Sequence, residues 1–509
     1  MSLPSHRFLR DGRGLPAELT EAREEIEGIA RGYGLDFFET VFELCTYEEI
    51  NMIASFGGFP TRYPHWRFGM EYLEMQRSYE YGLSKIYEMV INTDPAYAYL
   101  MDCNLVVDQK LVMAHVFGHV DFFKNNAWFA HTNRKMLDTM ANHATRVKRI
   151  IDRQGFDAVE KFIDLALSLD NLVDPYKDHI RRSRPSSAAE IEAAELDPRV
   201  AKIAAPEYLD RYVNPPEFLA EQRKRRDEEL QRMKGFPEAP DRDVLGFLVE
   251  HAALPGWQQE LLRIIRDEAY YFAPQGQTKI MNEGWATYWH TKMMTQDILN
   301  DGEVIDYADH HSGTVHMRPG QLNPYKLGVE LYRDIEERWD RGQFGKDWID
   351  NDDPEIKRRW NTGAGLGKEK LFEVRRTHND VTFVDTFLTP DFCRKQGFFT
   401  TTRDPKSGEW VIDSHEFGDI KRQLLQMLAT KGTPRVAIID ANVGNRAELR
   451  LAHDHEGLDI QLDWASLVLG NLAAIWGRPV HLDTLVDGKP VTLTHDGTDA
   501  KRVPRKEPG

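Results

Sequence analysis

The hydrophobic period changes once along this chain, and that change limits the folds open to it. From about residue 16 to 180, apolar residues recur at three- and four-residue steps, as in PAELTEAREEIEGIARGYGL and MEYLEMQRSYEYGLSKIYEMVINT. That spacing predicts amphipathic helices. It returns in VLGFLVEHAALPGWQQELLRIIRDEAYYFA and in NEGWATYWHTKMMTQDI. Between these blocks, residues 181–242 are polar, charged and bounded by prolines, which predicts an exposed connector with one solvated helix. After about residue 370 the texture turns mixed. VTFVDTFL, GFFTTTRD, EWVIDSHEF, RVAIIDA and ELRLAHDH read as strands, FGDIKRQLLQMLAT and LDWASLVLGNLAAIWG as helices, and the final segment as a hairpin turning at Asp487-Gly488. The expected fold is mainly α. A large helical domain spans residues 1–370, and a smaller α+β C-terminal domain spans 371–509. The 509 residues admit two to four domains.

Within the helical part, Gln109 to Lys124 has no proline, and its only glycine is Gly118. It places His115 and His119 four residues apart in an apolar run. On a helix those positions share a face one turn apart, so both rings can aim a nitrogen at one ion. The alternative is two histidines hydrogen-bonded inside a helix core. Glu283, beside Gly284 at the start of another apolar helix, can supply a third ligand and complete a His2Glu site. Its alternative is a carboxylate near a helix N-terminus. The loop Phe56–Gly69, with Arg62, His65 and Arg67, can line a pocket or merely connect.

Three segments in order resemble the helical gluzincin peptidases. HVFGH is similar to the HEFGH of oligopeptidases, Glu283-Gly284-Trp285-Ala286-Thr287-Tyr288 to E-G-W-A-x-Y, and Pro319-Gly320-Gln321 with Tyr325-Lys326-Leu327-Gly328 to P-G-Q-x-x-x-Y-K-x-G. The resemblance implies a gluzincin-like helical domain with His115, His119 and Glu283 as metal ligands. It implies that Tyr325 stabilises an oxyanion, while His316 and Arg318 just upstream could assist with substrate charge. Zinc is the expected ion, because His2Glu with an open position is its catalytic pattern. Iron or manganese remain open, since two histidines and a carboxylate also suit ferrous iron.

Two departures matter. Val116 fills the slot of the general-base glutamate, which in such peptidases takes a proton from water and passes it to the leaving amine. His119 and Glu283 also stand 164 positions apart, far more than usual in those peptidases. Glu268, heading an aromatic stretch, is the first candidate for a replacement base, with Asp267 and Asp121 behind it. Its alternative is a solvated helix carboxylate. His290 lies seven residues after Glu283, about 10 Å along a helix axis, and reads as an outer partner or substrate contact. Asn125 reads as a ligand contact or a helix-end cap.

HVFGHVDFFKNN, PQGQTKIMNEGWATYWH, NPYKLGVELYRDIEERWDRGQFGKDW and IWGRPVHLDT together resemble the SpoVR (stage V sporulation protein R) family, from about Gly34 to the C-terminal hairpin. That resemblance implies a bacterial cytoplasmic protein linked to spore cortex formation or stress responses. It also implies a functional link to a serine protein kinase and a von Willebrand-type protein.

Composition removes some classes. Lys+Arg 65 against Asp+Glu 82 gives a net charge of −17, which disfavours nonspecific nucleic-acid binding. No run approaches the roughly 18–20 apolar residues of a membrane span. The N-terminus carries no apolar signal core. Cys45, Cys103 and Cys393 are scattered and suit a reducing compartment. Three functions follow as expectations. The first is a metal-dependent hydrolase of a small peptide-like or other amide substrate. The others are a non-catalytic regulator on a peptidase scaffold and a non-haem iron enzyme.

Overall fold

A computed structural model describes residues 15–80, 88–180, 186–196, 200–305, 307–308, 323–403 and 410–505. The chain is mainly helical, with a smaller C-terminal sheet region. It divides into two compact units. One joins Met1–Gly155 to Tyr271–Lys431, and the other joins Phe156–Tyr270 to Gly432–Gly509. The boundary expected near residue 370 therefore falls inside the first unit. The chain passes between the units three times: after Gly155, after Tyr270 within the helix Gly256–Gln277, and after Lys431.

The first unit is built around the helix Val106–Asn125, here the His helix. Every residue from Leu111 to Phe123 is buried. This helix has no polar face because other elements surround it, as expected of a helix that is apolar all round. Two further helices of this unit matter for the site: Lys279–Met293, the Glu helix, and Pro324–Asp340, the Tyr helix. Phe117, Val120, Trp285, Trp289, Leu331 and Tyr332 belong to one shared core.

Glycines set how closely these helices approach. A Cβ on Gly118 would lie 2.7 Å from the Ala286 Cα. One on Gly284 would lie 2.5 Å from both the Cα and the carbonyl carbon of Gly328. Backbone meets backbone at both crossings, so no side chain can yield. The glycines of HVFGH, NEGWA and YKLG are thus crossing points between helices.

The N-terminus of the Glu helix is capped from far along the chain. The Asp380 carboxylate accepts from the backbone N–H groups of Ile280 and Met281, each at 2.9 Å. Burial pushes Asp380 up to about 7 against the pull of these bonds. Its folded pKa lies above its unfolded one, so protonation favours the folded chain. The stability this group contributes is full below about pH 4 and is lost as pH rises through about 7. The urea midpoint is therefore expected to fall between about pH 5 and 8, with a component that Asp380→Asn removes. An unchanged pH slope in that variant would contradict the assignment.

VTFVDTFL is a helix, Asp380–Phe387, and not the expected strand. Asn379 and Thr382 form a reciprocal cap, and Phe383, Val384 and Phe387 are buried at helical spacing. The stretch read as wholly helical also holds a three-stranded sheet. Ala96–Met101 pairs in parallel with Thr40–Cys45 and antiparallel with Glu88–Ile91. Its central strand serves two cores. Ala96, Ala98 and Leu100 join the core of the His helix, while Tyr99 and Met101 join a second cluster with Cys45 and Ile91.

The second unit carries a five-stranded sheet in the order Ala500–Pro504, Lys489–His495, Val480–Val486, Glu448–Asp454, Arg435–Val443. Its parallel pair, Glu448–Asp454 and Val480–Val486, is joined through the helix Leu462–Trp476. The expected hairpin is present, with Asp487 at φ 51° and Gly488 at φ 70°. In the connector, the helix Pro216–Met233 buries no residue. Among the described residues, no helix is long and apolar enough to cross a membrane.

Candidate metal centre

His115 and His119 project from one face of the His helix, with ring centroids 4.5 Å apart. Glu283 comes from the first turns of the Glu helix. The glycine crossing of Gly118 on Ala286 holds these two helices together. Glu283 Oε2 lies 3.7 Å from His115 Nε2 and 3.5 Å from His119 Nε2. The three donors fall within 4.8 Å of one another, the only such His/Cys/Asp/Glu group among the described residues.

The spacing is informative. Two donors held about 2.0–2.1 Å from one zinc ion at a tetrahedral angle stand about 3.4 Å apart. A direct imidazole–carboxylate hydrogen bond would be shorter, near 2.8 Å. Glu283 Oε2 is buried and has no hydrogen-bond partner among the described residues. An ionisable oxygen in that state wants a cation. The three side chains fit a divalent ion.

Other groups surround the histidines. His119 Nδ1 lies 2.9 Å from Asn282 Oδ1, and His115 Nδ1 lies 2.7 Å from His290 Nδ1. Tyr325 stacks against His115, with centroids 6.3 Å apart and planes at 28°. It occupies the first turn of the Tyr helix, where Asn323 accepts from its backbone N–H at 2.9 Å.

None of the proton-carrying candidates joins the three-donor group. Val116 is fully buried in the apolar core. Glu268 is buried in the second unit and does not join the three-donor group, and Asp267 is exposed there. Asp121 accepts from the Trp285 indole N–H and the Asp36 backbone N–H, both at 2.8 Å, and pairs with Arg375 at 3.3 Å. Burial pushes Asp121 up to about 6, with Arg375 opposing. It ties the His helix to its neighbours. Asn125 donates to the carbonyls of Asp36 and Asp121, each at 2.7 Å, and clasps the end of the same helix. His316 and Arg318 lie outside the described residues.

Asn282 was not singled out from the sequence, although a polar residue directly before Glu283 in an otherwise apolar helix is a signal. The glycine crossings were missed for a different reason. A glycine in a helix looks like a weak helix former until its neighbour is known.

A mainly helical unit in which two helices bring together two histidines and a glutamate defines a candidate mononuclear metal protein. The chain belongs to the SpoVR like protein family, whose model matches residues 15–433. It is 29% identical over 496 residues to the uncharacterized protein YcgB of Escherichia coli (strain K12), covering 90% of each chain. No solved structure matches it.

Proposed function

We propose that the chain is a zinc-dependent hydrolase of an amide or peptide-type substrate, with His115, His119 and Glu283 holding the ion. The convergence of those three donors, with Glu283 Oε2 at 3.5 and 3.7 Å from the two histidine nitrogens, carries the reading. When bound, zinc supplies a Lewis acid that polarises a carbonyl oxygen and acidifies water. The protein's own part is to fix three donors, exclude bulk water with a buried His helix, and border the site with Tyr325. A phenol beside His115 suits hydrogen bonding to an oxyanion. The cortex or stress context belongs to the same proposal, as does the partnership with a serine protein kinase and a von Willebrand-type protein.

One observation favours a second reading, a regulator that binds metal and substrate without turnover. The position of the usual base holds Val116, sealed in the core. Elemental analysis of purified protein separates much of this. Stoichiometric zinc is expected, iron would redirect the proposal to an oxidative enzyme, and no metal would end it. A screen of peptides and cell-wall fragments then tests turnover. Tyr325→Phe is expected to lower kcat by roughly 100-fold, the usual effect of losing one oxyanion donor. Undiminished hydrolysis in Tyr325→Phe would remove that phenol from the chemistry.

A further inference from the structure

We infer that Asn282 and His290 are positioning residues that fix the tautomers of the two histidines, so that both present Nε2 to the ion. The inference rests on the metal-centre reading and deepens it.

A neutral imidazole has one N–H and one lone pair, and only the lone pair can ligate. The Asn282 side-chain carbonyl can only accept, so His119 must donate to it from Nδ1 across 2.9 Å. That leaves the His119 Nε2 lone pair on the side of Glu283, 3.5 Å away. For His115, the 2.7 Å contact joins two Nδ1 atoms, and one of them must carry the shared proton. With His115 Nε2 turned to Glu283 at 3.7 Å, that proton belongs to His115 Nδ1, and His290 Nδ1 accepts it.

All three partners come from one helix. Asn282, Glu283 and His290 lie on the Glu helix, whose crossing with the His helix is set by Gly118 against Ala286. One rigid element therefore supplies the third donor and orients the other two. Both acceptors are neutral, so they orient the rings without adding negative charge around the ion. Asn282 and His290 are buried, at 9% and 2% exposure, where solvent does not compete for these bonds.

Two readouts test this separately. In metal-free protein, ring 15N shifts report where each proton sits. Nδ1–H is expected on both His115 and His119, and Nε2–H on either overturns the inference whatever the metal result. In loaded protein, zinc affinity is measured by competition with a chelator, and the site is reported by its Co2+ absorption spectrum. Asn282→Leu and His290→Phe remove the acceptors and are expected to weaken zinc binding 10–100-fold and shift the Co2+ spectrum. Asn282→Asp and His290→Gln keep an acceptor and are expected to retain most of the affinity, which separates orientation from a loss of folding. If wild type binds zinc and all four variants match it in affinity and spectrum, the inference fails while the metal centre stands. If wild type binds no metal, the metal-centre reading fails, and the 15N shifts still decide the tautomers.

Discussion

Gly284→Ala is expected to destabilise the protein by roughly 3 kcal/mol, at the upper end of the usual cost of overpacking a core. The sign is the informative part. In an exposed helix, alanine for glycine normally stabilises by up to about 1 kcal/mol. At Gly284 the new methyl would sit 2.5 Å from Gly328 backbone, so the Glu and Tyr helices must separate. That separation carries Glu283 away from the histidines, and metal content should fall with stability. Gly28 is the control. It lies in the helix Ala17–Gly32 with nothing within 4 Å of its would-be Cβ, and Gly28→Ala should stabilise slightly. Urea unfolding of both variants decides the matter. Equal effects at the two positions would mean that the helices do not cross as described.

Removing one donor is expected to have the largest effect on metal. His115→Ala, His119→Ala or Glu283→Ala each leaves two ligands, and zinc affinity should fall by more than the roughly 100-fold that bounds the loss of an outer partner. Glu283→Ala is the cleanest of these. It removes a buried oxygen that has no hydrogen-bond partner among the described residues, so the metal-free variant should be as stable as metal-free wild type or more so. Zinc retained at one per chain after dialysis of Glu283→Ala would sink the three-donor centre. Metal loss combined with higher apo stability would support the view that Glu283 is held there for a cation and not for folding.

The sequence made the donors legible because metal chemistry leaves short-range marks. His115 and His119 sit one turn apart, and Glu283 stands in a recognisable segment. The partners of those donors left no such mark. That Asn282 faces His119 and His290 faces His115 depends on the angle and register between two helices from distant parts of the chain. Asp380 is the clearest case. The segment that follows it, VTFVDTFL, has the β-branched look of a strand, but the Asn379–Thr382 cap and the burial of Phe383 and Phe387 make it a helix that begins at Asp380. Its carboxylate then caps another helix. The strands Thr40–Cys45 and Ala96–Met101 were hidden for a simpler reason. They are six residues each, too short for period two to stand out between long helices. Glu268 was chosen for its aromatic neighbours, and its burial is real, but it belongs to the other unit.

The cap from Asp380 also imposes an order in time. A ribosome releases His115 and His119 first and Glu283 only 164 residues after His119, about 10–30 s later at typical elongation rates. The carboxylate that pins the start of the Glu helix follows a further 100 residues behind Ile280. Nascent chains shorter than this present the two histidines without their third donor or its anchor. The three donors can therefore converge only after synthesis has passed residue 283, and the helix that carries the third is pinned only after residue 380.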